Sequence, residues 1–242
     1  MSIRLDSNFW CRYFKDVFIQ QIDAFCDPFV GRVLQAFANM SQEAEEHKDA
    51  EYNRLSSQPA SEYDTSDMCD IAEQAQGAAI GYYVTLCAIR QTIINLGVAA
   101  LYHILEQQLL LFHRKHLLYP AEENEIAKIS LNVLRKRLQN EGIDIESLQS
   151  WPKVTELKLI ANSVKHAEGK SAEKVRKLRP DLFTHPDLRA LQWTQRPSAS
   201  RVYSPLAGQD IYLTDNDLET YRSAIIAFWK EFSGVIQDHD NM

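Results

Sequence analysis

Cysteine is scarce in this chain and poorly spaced for chemistry. Cys11, Cys26, Cys69 and Cys87 lie far apart, with no CxxC pair and no metal-ligand spacing. The pattern speaks against disulfides and zinc and for buried, reduced thiols in a cytoplasmic protein. Long hydrophobic runs are missing too. The run Gly77–Ile89 stops at Arg90-Gln91 and the next is broken by Asn95, short of the ~18–20 residues a membrane span requires. The opening MSIRLDSNFW mixes charge with aromatics and has neither the apolar stretch nor the cleavage site of a secretory signal. Positive charge is in deficit, at 26 Lys+Arg against 33 Asp+Glu for a net −7. That argues against indiscriminate nucleic-acid binding, although a local basic site still acts over a Debye length of roughly 8–10 Å. No Walker loop, GxGxxG, HExxH, GxSxG or internal repeat occurs, so no metal or cofactor is expected.

What the chain has instead is helical periodicity. Asp6 or Ser7 caps a first helix whose stripe is Trp10, Phe14, Val17, Phe18, Ile22 and Phe25, a pattern that reads as core. Asp27-Pro28 is expected to end it and start a second helix, acidic past Ser41 and running to about Leu55. Ser56–Ser66 reads as a flexible link. The longest pattern, about Met68–His116, is apolar nearly all round from Gly77 to Phe112, which predicts a central helix buried by its neighbours. Gly77 and Gly81 would admit another helix closely, Gly97 is the expected kink, and Arg90, Gln91 and Asn95 must find partners inside. His113-Arg114-Lys115-His116 suits the negative end of that helix. Pro120 is expected to open a third long helix, with Ile126, Ile129, Val133, Leu134 and Leu138 inward and Gly142 as its stop.

After Pro180 the prolines at 186, 197 and 205 interrupt regular structure, and 202–203 with 210–213 suggest a small hairpin or an extended cover. Thr214 then caps a last helix with Leu218, Tyr221, Ile225, Phe228, Trp229, Phe232 and Ile236 in its stripe. The expected fold is all-α: a helical bundle of about six main helices, with a Pro-interrupted irregular segment near the C-terminal part. Residues 1–55 form an N-terminal helical pair packed on a main bundle of residues 67–242.

Polar residues repeat without a packing reason in one place, Leu157–Phe183 (LKLIANSVKHAEGKSAEKVRKLRPDLF). On a helix launched by Trp151-Pro152, Leu157, Ile160, Ala161 and Val164 share a face at i, i+3, i+4, i+7. Lys158, Asn162, Lys165 and His166 then form a stripe along the edge of that face. Gly169 is expected in a left-handed conformation closing the helix, and Ser171 as the cap of the next. From Lys153 to Arg179 eight basic residues stand against three acidic ones. Lys158, Lys170, Lys174, Arg176, Lys177 and Arg179 are the candidate phosphate-facing cations. The plain alternative is that Asn162 and His166 bond to neighbouring backbone and brace the loop at Gly169. Arg179 and His185 make a second Arg-to-His spacing, which Pro180 takes off any helix and which is read as coincidence.

The Asn162-x-x-Lys165-His166 run resembles the signature region of the HEPN superfamily, all-α domains many of which are metal-independent ribonucleases. The likeness covers roughly ten residues around His166. Where the family's motif usually has an Arg before the Asn, this chain has Ala161. The resemblance implies a HEPN-like RNA-directed effector, an endoribonuclease or a degenerate relative, of the kind found in bacterial defence and toxin–antitoxin systems. In that scheme His166 is the acid or base, Asn162 orients, and Lys165 or Lys158 steadies the developing charge. It also implies RNA as partner, a homodimer with the two signature helices at its two-fold, and a protein partner or inhibitor. The competing class is a non-catalytic helical interaction or scaffold subunit.

Overall fold

The first helical run shows how this sequence keeps its aromatics on one side. In the computed structural model, which describes residues 6–58, 68–122, 124–190, 201–206 and 208–240, the Asp6 carboxylate accepts the Phe9 N–H at 3.0 Å. That cap opens α1 (Ser7–Tyr13). A π-helical stretch, Phe14–Ile19, leads into α2 (Gln20–Pro28), and a second, Phe29–Val33, leads into a 3-10 turn at Leu34–Phe37. Pro28 therefore does not break the chain as expected. The chain stays helical through it, and a wider, π-helical turn follows directly after it. The real break comes at Asn39, before α3 (Met40–Ser56), which is largely exposed. Pro197 and the link from Pro59 to Ser66 lie outside the described residues.

α4 (Met68–Phe112) is long and apolar enough to cross a membrane by length and composition. Its second half instead floors the core. Ile94, Val98, Leu101, Leu105 and Phe112 are buried there against Trp10, Phe14 and Phe18 of the first run and Phe228, Trp229 and Phe232 of α9 (Asp215–Asp240). Ring centroids lie 4.6 Å apart for Phe14–Trp229 and 4.8 Å for Trp10–Phe112. Each such side chain contributes about 1.5–3 kcal/mol by leaving water. A buried amide ties the three elements together: Gln108 donates to the Phe18 carbonyl at 3.0 Å and accepts from Trp229 Nε1 at 2.8 Å.

The first half of α4 corrects the expectation of a helix buried all round. It packs along α3, with His47 stacked on Tyr82 at 4.7 Å, while Ile80 and Val84 on other sides stay 56% and 58% exposed. Nothing lies within 4 Å of a Cβ built on Gly77 or Gly81, so neither marks a close approach. Gly97 does: a Cβ there would meet the Phe29 ring at 2.3 Å, and α4 continues on both sides of it. The polar residues inside α4 have partners. Arg90 pairs with Asp215 at 3.0 Å, Gln91 donates to the Leu213 carbonyl and Asn95 to the Ile211 carbonyl.

The third long helix is shorter than expected. Pro120–Glu122 and Ile126–Lys128 are 3-10 turns, and α5 (Leu131–Asn140) starts only where the Ser130 hydroxyl accepts the Val133 N–H. Gly142, at φ +82°, ends it as expected. His113 also leaves the expected cation cluster, being fully buried in a π-helical end to α4 (His113–Leu117). α6 (Trp151–His166), α7 (Lys170–Leu178) and a short α8 (Pro186–Ala190) follow. The described residues contain no strand: 201–206 and 208–213 form the extended cover rather than the hairpin. The fold is an all-α helical bundle.

Candidate functional site

α6 is placed by its apolar face. Val154, Leu157, Ile160, Ala161 and Val164 are buried against α4, α7 and α9. At about 100° per residue, Lys158, Lys165, Asn162 and His166 must then share an outer arc of roughly 100°. They do: Lys158, Lys165 and His166 are exposed and Asn162 half-buried. Among the described residues, no hydrogen bond or ion pair engages any of these four side chains. The bracing alternative needed Asn162 or His166 bonded to the backbone. The backbone there is held by other groups.

Those groups are unusual. Ala167, directly after His166, sits at φ +61°, ψ −144°, a region that costs an L-residue of order 1–3 kcal/mol. Gly169, expected to be the left-handed residue, is fully extended instead, and α7 starts from it without a side-chain cap from Ser171. The turn is fixed by residues 201–206, which the sequence did not point to. Glu168 donates its N–H to the Val202 carbonyl at 2.9 Å and accepts the Val202 N–H on its carboxylate at 3.0 Å. Leu206 N–H reaches back to the Val164 carbonyl at 2.8 Å. Arg176 closes the arrangement on the Glu168 carboxylate at 2.8 Å, and that bond holds the carboxyl below its ordinary range.

The candidate cations divide into two sets. Lys165, Lys170, Lys174 and Lys177 are exposed, and no carboxylate among the described residues pairs with them. The three on α7 stand at i, i+4, i+7, hence on one outer face, with the exposed Glu173 beside it. Arg176 and Arg179 belong to the scaffold. Arg176 carries the Glu168 pair, and its guanidinium lies 4.9 Å from the Phe183 ring centre. Arg179 turns inward to Asp181 at 2.7 Å, Asp217 at 2.8 Å and Glu156 at 3.4 Å, and the Asp181 bond heads the causes that hold its proton more tightly than usual. Tyr221 donates to the same Glu156 at 2.6 Å. Arg179 thus reaches neither His166 nor His185, whose ring meets Tyr212 edge-on at 5.1 Å.

Ala161 is 0% exposed. The position where the resembling motif has its Arg therefore faces the core of this bundle, and no guanidinium could extend from it to solvent beside Asn162. Other chemistry finds little support. No disulfide joins the four cysteines, and burial pushes the Cys26 thiol up to about 12, far from a nucleophile's range. His103 is held by Glu106 at 3.0 Å, and no group of three His, Cys, Asp or Glu among the described residues converges as a metal site. Compared with known proteins, the chain matches no family model, no curated protein and no solved structure.

Proposed function

We propose that this chain is a HEPN-like, RNA-directed effector that cleaves RNA without a metal. One observation carries the reading: His166 and Lys165 stand open to solvent at the end of α6 with the half-buried Asn162 on the same arc, and no structural bond explains them. In such a cleavage the 2′-oxygen attacks the adjacent phosphorus and the bond to the 5′-oxygen breaks, leaving a 2′,3′-cyclic phosphate and a 5′-hydroxyl. His166 takes the 2′-proton or supplies one to the leaving oxygen, and Lys165 faces the charge that builds on the non-bridging oxygens. Asn162 orients the phosphate or the imidazole. One exposed imidazole serves one of the two proton transfers. A second copy of α6 across a homodimer two-fold supplies the other, in a cytoplasmic effector whose activity a protein inhibitor restrains.

The test is incubation of the purified chain with total RNA in EDTA, wild type against His166→Ala. The expected result is cleavage to cyclic-phosphate ends by the wild type and at least a ~100-fold loss in the variant. Equal cutting by both, or no cutting by the wild type, removes the assignment. A second reading, a non-catalytic interaction subunit, is favoured by the exposed Ile80 and Val84 on α4. It predicts that Val84→Glu abolishes a self- or partner-association while His166→Ala changes nothing.

A further inference from the structure

The segment that fixes the end of α6 also displays an aromatic ring. Val202 is buried, so the next side chain points outward, and Tyr203 is 77% exposed, the highest value among the exposed large hydrophobic residues. An isolated exposed tyrosine on a loose loop would mean nothing. This one is on a held loop. Val202 is bonded at both its N–H and its carbonyl to Glu168, Leu206 is bonded to Val164, and the N–H groups of Tyr203 and Ser204 both point at the Asp210 carboxylate, at 2.8 and 3.4 Å. The bonds to Val164 and Glu168 bracket Lys165 and His166 in the chain, so the loop that carries Tyr203 is tied to the same turn that carries them. Gly208 anchors the far side on α4, close enough that a Cβ would come within 2.7 Å of the Ala88 carbonyl and the Thr92 nitrogen.

We propose that Tyr203 is a stacking platform for an unpaired base of single-stranded RNA, with the flanking phosphates on Lys165 and the α7 lysines 170, 174 and 177. The inference rests on the ribonuclease reading and narrows its substrate to single strands. Three features point the same way. A base in a duplex has its faces covered and cannot stack on a protein ring, whereas every unpaired base offers a π-face. The backbone that carries the ring is already held by hydrogen bonds, so little loop ordering is needed when a base lands there. The exposed Lys165, Lys170, Lys174 and Lys177 lack carboxylate partners among the described residues, so phosphates need displace nothing there. Arg201, also exposed, precedes Val202 on the same loop.

The experiment uses the full chain and a labelled 2′-O-methyl oligouridine ten nucleotides long, which has no free 2′-hydroxyl and so cannot be cut by this route. Anisotropy titrations compare wild type, Tyr203→Ala and Tyr203→Phe, with thermal unfolding as a control for folding. Tyr203→Ala is expected to weaken binding ~5- to 100-fold, while Tyr203→Phe stays within about twofold, because a ring and not a hydroxyl is required. A 4-thiouridine version of the same oligomer is expected to crosslink to the peptide carrying Tyr203. Unchanged affinity of Tyr203→Ala, equal damage by Ala and Phe, or equal affinity for a blunt duplex would overturn the proposal. The two readings separate cleanly. Tyr203-dependent binding by a protein that never cuts RNA leaves this inference standing and ends the catalytic one. Cleavage that persists in Tyr203→Ala, with undiminished affinity, does the reverse, and absence of any RNA binding ends both.

Discussion

His113 is a histidine whose neutral form the fold requires. It is 0% exposed, and neither ring nitrogen finds a hydrogen-bond partner. Burial, then the Arg137 charge, holds its pKa below the ordinary value, with Glu122 opposing weakly. The sign follows from linkage. Above about pH 6.5 the imidazole is neutral in both folded and unfolded chains and has no effect on stability. As pH falls below that value the unfolded chain takes up a proton that the folded one refuses, so stability declines until the folded pKa is reached. We expect urea midpoints of the wild type to fall between pH 7 and 5 more steeply than those of His113→Leu, by at most ~1.4 kcal/mol per pH unit. Parallel curves would mean the ring protonates inside the fold. A second residue-scale expectation concerns Ala161. Restoring the resembling motif by Ala161→Arg should not raise activity above the wild type's and should cost about 3 kcal/mol or more, read as a lower denaturation midpoint, because the new charge enters the core unpaired.

Among the elements, the extended cover at 201–206 and 208–213 depends on α4. Asn95 donates to the Ile211 carbonyl at 2.7 Å and receives the Leu213 N–H at 3.4 Å, and Gly208 lies flat on Ala88 and Thr92. Asn95→Ala should therefore cost about 1–3 kcal/mol through the backbone groups it strands. Gly208→Ala should cost a similar ~1–3 kcal/mol because the new methyl meets backbone rather than a movable side chain. Hydrogen exchange would place the damage: faster exchange at Glu168 and Leu206 is expected in both variants, and unchanged exchange there would separate this cover from the α6 turn. These tertiary bonds also mark where the sequence stopped being legible. Helices built on strong periodicity, α4, α6 and α9, could be read directly, as could the capping of α9 by Thr214 and Asp217. The π-helical stretches could not, because a one-residue widening leaves the apolar pattern almost intact. Nor could the late start of α5: Pro120 permits a helix, and tertiary bonds such as those of Arg137 to Glu122 and to the Leu117 carbonyl tie down the short turns instead. The stripe on α6 was visible because it follows helical spacing. Tyr203 was not, since its loop is tied to the end of α6 by a bond between Val202 and Glu168, 34 positions apart in sequence.

For the whole molecule, charge decides how any RNA can bind. With a net −7, the molecule as a whole repels a polyanion, so attachment must run through cations that no carboxylate neutralises. Sequence alone ranks Lys170, Lys174, Lys177, Arg176 and Arg179 together, but the fold separates them. The lysines stand free on α7, whereas the arginines join α6, α7 and α9 through Glu168, Glu156, Asp181 and Asp217. Replacing all three lysines by Gln should leave the unfolding midpoint within about 0.5 kcal/mol, since exposed substitutions away from packed features do little. The same change should lower the slope of log K against log salt by about 2, at ~0.7 per single-strand phosphate contact. Arg179→Gln should behave in the opposite way, losing about 3 kcal/mol of stability by stranding buried carboxylates while leaving the salt slope of the surviving folded fraction unaltered. Salt titrations from 50 to 300 mM beside chemical denaturation read both quantities on the same proteins. If the lysine variant kept the wild-type slope, phosphate contacts would have to lie elsewhere, and the outer face of α7 would be ordinary solvated surface.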